Sequence, residues 1–111
     1  MEQDVFRAMR GELGDTLLAK LLGRSVTSVR LYANGRRTVP ALVARRLEWV
    51  HRVAFGLAGG YNSKGMRAWF DRARVQLEQR SPLDVLGADW LLSDADAADV
   101  ERLASALRGP G

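Results

Sequence analysis

The sequence predicts an all-α protein, on three observations. The 111 residues contain no isoleucine, while Ala, Leu and Arg, all strong helix formers, dominate. Apolar residues recur at three- and four-residue spacing rather than in alternation. Ser, Asp, Asn, Gly and Pro stand where helix starts and stops require them. Hydrophobic residues make up 47% of the chain, enough to build a core. There is no cysteine, so no disulfide framework or thiolate metal site is available.

The elements follow in order. Residues 3–12, "QDVFRAMRGE", predict a first helix with Val5, Phe6 and Met9 on one side. "GD" at 14–15 ends it, and Asp15 is a good N-cap for a short buried helix, "TLLAKLLG", that stops at Gly23. Ser25 caps a helix over 26–34, with Val26, Val29 and Tyr32 or Ala33 at helical spacing. Asn34-Gly35 is a stop signal. Pro40 suits the first turn of a longer helix, about 40–57, whose apolar stripe is Leu42, Val43, Leu47, Val50, Val53, Ala54 and Leu57. "GLAGGYNSKG" (56–65), crowded with glycine, is the best linker candidate. Ser63 can cap a helix carrying Met66, Trp69, Phe70 and Ala73. Ser81 and Pro82 open another helix, which Gly87 ends. The last helix starts at Ser93 or Asp94 and buries Val100, Leu103, Ala104 and Leu107. The linker divides the chain into residues 1–58 and residues 59–111.

Charge divides along the same line. Residues 1–60 hold ten Arg and Lys against five Asp and Glu, whereas residues 61–111 hold seven against eight. Between 24 and 52 there are seven arginines and one acid, Glu48. This asymmetry suggests a polyanionic partner for the first half and a different one for the second.

A helix-turn-helix needs a small residue midway in its first helix, a glycine in the turn, and apolar anchors behind the second helix. Ala19 is the small residue and Gly23 follows four later. Leu18 and Leu22 face inward, and Val29 and Tyr32 anchor the second helix. This spacing resembles the DNA-binding motif of Xre-like repressors, with Arg24 standing where many members have an apolar residue. The outward positions are then Ser25, Thr27, Ser28, Arg30, Leu31 and Asn34. Hydroxyls and free N–H groups at the helix start can bind phosphate or base edges. Arg30 is the candidate for a bidentate contact to guanine, and Asn34 either reads adenine or caps. Arg36 and Arg37 are expected to hold phosphate, with Arg45 and Arg46 as weaker candidates.

From Ala68 the chain reads "AWFDRARVQLEQRSPLDVLG" and later "DVERLASALRG". Trp69, Leu77, Pro82, Leu83, Asp84, Leu86, Val100, Leu103, Leu107 and Gly109 fall where the C-terminal domain of the MbcA/ParS/Xre antitoxins carries its pattern. The chain therefore resembles that family over about residues 15–109. Two stretches depart from it: "LEQRSP" has no glycine soon after Leu77, and "ADWLLSDADAAD" is acidic and apolar where a glycine-containing loop is common. The resemblance implies an N-terminal helix-turn-helix bundle followed by a small helical toxin-binding or dimerisation domain. It also implies a type II antitoxin that neutralises a cognate RES-domain toxin, which consumes NAD, and that represses its own promoter by binding double-stranded operator DNA. The C-terminal residues Leu107, Arg108, Gly109, Pro110 and Gly111 would then reach the toxin. One alternative is a stand-alone regulator, phage-borne or not, whose second half only dimerises; another is a helical interaction module with no DNA role.

Other residues are expected to be structural. His51, the only histidine, has no companion at ligand spacing, and Asp94, Asp96 and Asp99 lack the glycine and final glutamate of a calcium loop. Trp49, Trp69 and Trp90 suit the core or an interface better than base stacking. No catalytic set, P-loop, cofactor motif or metal site is visible. The start of the chain lacks the form of a signal peptide, and no apolar run approaches the ~20 residues of a membrane span. These readings point to a cytoplasmic protein without enzymatic activity. A homodimer is expected, since paired half-sites extend the limited reach of one short recognition helix.

Overall fold

A computed structural model describes residues 2–108. Among them, seven α-helices run α1 Glu2–Leu13, α2 Asp15–Leu22, α3 Val26–Ala33, α4 Ala41–Leu57, α5 Ser63–Asp71, α6 Pro82–Leu86 and α7 Ala95–Ser105. Single 3₁₀ turns stand at Val75–Leu77 and Ala106–Arg108. No strand occurs among the described residues, so the all-α class holds.

Helix boundaries follow local chemistry. Gly23 ends α2 in the left-handed region at φ 68°; its N–H donates to Lys20 O and that of Arg24 donates to Ala19 O. These paired bonds satisfy the carbonyls that a helix end leaves open. Gly35 repeats the device after α3 at φ 73°, with Gly35 N–H on Tyr32 O and Arg36 N–H on Leu31 O. Ser25 caps α3 by accepting from Ser28 N–H at 3.1 Å, and Ser81 caps α6 by accepting from Asp84 N–H at 3.2 Å, with Pro82 opening that helix.

Two expected caps move. Gly14, not Asp15, occupies the N-cap of α2, because the Asp15 carboxylate is engaged by arginines instead. Asn62, not Ser63, caps α5 by accepting from Gly65 N–H at 2.9 Å; the Ser63 hydroxyl donates to Glu12. Helix α5 ends at Asp71, which leaves Ala73 exposed outside it. Between α5 and α6, a bridge pairs Arg74 with Arg80 and closes a tight loop anchored by buried Leu77. Glu78 and Gln79 both adopt left-handed backbone there, at φ 57° and 66°.

The stretch expected as a linker joins rather than separates. Gly56 lies inside α4, and a Cβ there would sit 2.7 Å from Ala104 O; at Gly59 it would sit 2.9 Å from Leu107 O. Gly56 lets the α7 backbone lie directly on α4, and Gly59 lets the 3₁₀ turn after α7 lie against the turn after α4. One continuous core results, with buried side chains from all seven helices, among them Phe6, Leu22, Val29, Trp49, Phe70, Val85 and Val100. All three tryptophans belong to it. Leu42 and Leu103 are only partly buried, and Leu107 is exposed.

Candidate nucleic-acid interface

Helices α2 and α3 pack against each other, and Ala19 of α2 is buried. The intervening turn is set by Gly23, which has no room for a Cβ: one would sit 2.7 Å from Arg46 Nη1 and 2.8 Å from Ala88 O. Behind α3, Val29, Tyr32 and Ala33 are buried, and the Tyr32 ring packs on Phe6 of α1 at 5.6 Å between centroids. Its outer face is polar and basic.

The predicted residues of that face divide into an exposed and a partly covered group. Thr27, Arg30, Asn34, Arg36 and Arg37 are exposed, as is Ser25, whose hydroxyl is engaged in capping. Ser28 and Leu31 are partly covered. Asn34 takes the C-cap position of α3. Arg37, although beyond the end of α3, folds back so that its Nη1 donates to Ser28 Oγ at 2.8 Å, and Ser28 Oγ lies 3.1 Å from Ser25 Oγ. The loop arginine and the helix start therefore form one surface, which sequence spacing alone does not bring together.

Arg30 does not stand alone. Its Nε donates to Asp15 Oδ2 at 3.0 Å, while Arg10 Nε donates to Oδ1 of the same carboxylate at 2.7 Å and Arg10 Nη2 to Oδ2 at 3.2 Å. Arg10 hydrogen bonding, reinforced by Arg30, holds the Asp15 carboxyl below the usual carboxylate range, and the same bond raises the Arg10 guanidinium. Three helices, α1, α2 and α3, are pinned at this point. Sequence reasoning missed it because residues 10, 15 and 30 share no helical spacing.

Arg46 is a correction. As a phosphate ligand it would have to be exposed, yet it is buried. Its Nη1 donates to Leu22 O at 2.9 Å, its Nη2 donates to Trp90 O, and the guanidinium lies 5.3 Å from the Trp90 ring centre. Trp90 Nε1 in turn donates to Leu21 O at 2.8 Å, and its ring packs on Trp49 at 4.6 Å. Burial pushes the Arg46 guanidinium down from its ordinary value, helped by the nearby Arg24 charge. The signal was readable: position 46 falls on the apolar stripe between Val43 and Val50. Arg45, its neighbour, is exposed.

Of the residues expected to meet a toxin, Leu107 and Arg108 lie beside the end of α4. Leu107 is 40% and Phe55 61% exposed, which makes an apolar corner. Arg108 covers part of it, with its guanidinium 3.8 Å from the Phe55 ring centre and Nε donating to Phe55 O at 2.6 Å. Gly109, Pro110 and Gly111 lie outside the described residues. Among the described residues no helix is long and apolar enough to cross a membrane.

No protein-family model matches the chain, and no curated protein or solved structure matches it.

Proposed function

We propose that this chain binds double-stranded operator DNA by setting α3 into the major groove, and that it acts as the antitoxin and autorepressor of a RES-domain toxin. The observation that carries the DNA reading is the division of α3 into a buried anchor face and an exposed face of Thr27 and Arg30, flanked by Arg36 and Arg37. Polar and basic groups at the start of such a helix serve phosphate and base edges alike. The antitoxin part is supported by the resemblance over residues 68–109 and by the exposed corner of Phe55 and Leu107.

Mobility shift over a salt series tests the DNA reading. Wild type is expected to bind duplex DNA with an affinity that falls as salt rises. Arg30→Ala should relax sequence preference at a cost of about 1–3 kcal/mol, while Arg36→Ala should weaken all sequences alike and flatten the log–log salt slope by about one. Absence of salt-dependent binding in the wild type would end this reading. Co-expression with a neighbouring RES-type gene tests the antitoxin part. Co-purification and restored growth are the expected results; DNA binding with neither would leave a stand-alone regulator.

A further inference from the structure

We infer that Asp15 is a specificity-determining positioning residue: it holds Arg30 by one edge so that the other edge is presented to a guanine. This rests on the DNA-binding reading of α3 and extends it to a residue on a different helix.

The geometry has a fixed end and a free end. The carboxylate of Asp15 is 21% exposed and is gripped from α1 by two nitrogens of Arg10. Its orientation is therefore set by the scaffold, not by solvent. The Arg30 side chain is 60% exposed and uses only Nε on Asp15. Among the described residues its Nη1 and Nη2 make no hydrogen bond. Guanine offers O6 and N7 side by side in the major groove, and the two terminal nitrogens of an arginine match them. A guanidinium tethered at Nε keeps that pair available while losing much of the freedom it would otherwise give up on binding. The charge count also suits a DNA surface. One carboxylate sits between two guanidiniums, so the cluster keeps a net positive charge despite containing an acid.

A purely structural pin would behave differently. Its loss would lower affinity for every sequence alike, in step with any loss of fold stability. Loss of a positioning group would erase preference at one base position and leave general binding intact.

The test uses the full chain and a random duplex library. Sequences are selected by wild type, Asp15→Asn and Arg30→Ala, and affinities are then measured on the wild-type consensus and on a scrambled duplex. Asp15→Asn is expected to lose the guanine preference at the same position as Arg30→Ala. Its ratio of consensus to scrambled affinity should fall about tenfold, with scrambled binding unchanged or raised. Asp15→Ser, which removes the carboxylate with a residue tolerated at a helix start, gives the same readout if the Asn variant fails to fold. If either folded variant keeps the base preference that Arg30→Ala loses, the inference is overturned and the DNA reading stands. The same holds if Arg30→Ala itself loses no base preference. A wild type that enriches no sequence overturns both.

Discussion

Asp15 shows how much one side chain can be asked to do. Its carboxyl is held low by Arg10 and Arg30, so it stabilises the fold in its ionised form. A group whose folded pKa lies below its unfolded value contributes at pH above the unfolded value, about 3.9 for Asp, and loses that contribution as pH falls through the folded one. The stability gap between wild type and Asp15→Asn should therefore be constant from about pH 5 to 8 and shrink progressively below about pH 4. Urea titrations across that range would show it; a gap that persists at pH 2 would mean the charge is not the cause. Gln79 offers a contrasting case. Left-handed backbone costs an L-residue roughly 1–2 kcal/mol, and Gln79 adopts it at φ 66° beside Glu78 at 57°. Gln79→Gly is expected to raise stability by about 1 kcal/mol, read as an increase in urea midpoint without a change in slope.

At the scale of elements, the turn between α2 and α3 is held from outside the motif. Gly23 sets its backbone, but Arg46 of α4 satisfies Leu22 O and reaches Trp90 O, and Trp90 satisfies Leu21 O. The last carbonyls of α2 are thus capped by two side chains, one from α4 and one from the segment before α7. Arg46→Ala removes those donors and leaves a cavity, and it should destabilise the protein by about 2–4 kcal/mol. Chemical denaturation measures this. A cost below 0.5 kcal/mol, within the range of surface changes, would show that Arg46 is not holding the turn. Helix α5 acts similarly at the other end of the motif, where Arg67 donates to Glu12 O at 3.1 Å and Gly11 O at 3.0 Å and so covers the end of α1.

For the whole molecule, these ties make the two halves one body. The radius of gyration is 13.4 Å, close to the ~13 Å of a single compact domain of 100 residues. Arg52 of α4 pairs with Glu101 of α7 at 3.1 Å, and Gly56 and Gly59 let α7 and the turn after it lie against α4 and its C-terminal turn. A fragment ending at residue 60 would expose the α4 face that buries Val53 and Leu57, and would lose Trp90 from the α2 turn. It is expected to show no cooperative thermal transition by circular dichroism, whereas the full chain shows one. A fragment that melts cooperatively would mean that the first half is an independent domain.

The sequence alone determined the helices, because their causes are local: periodicity, the caps at Ser25 and Ser81, and the stops at Gly23, Asn34-Gly35 and Gly87. It also determined which face of α3 is polar, since Val29 and Tyr32 define the opposite one. Only the tertiary structure decided what those surfaces touch. Nothing in residues 10, 15 and 30 announces a shared carboxylate, and Arg46, although its place on the apolar stripe is legible, shows no partner until α4 is packed against α2. The glycines at 56–60 read as a spacer because close backbone approach between helices leaves no local mark. Such contacts depend on groups far apart in the chain, and they exist only once the helices have packed.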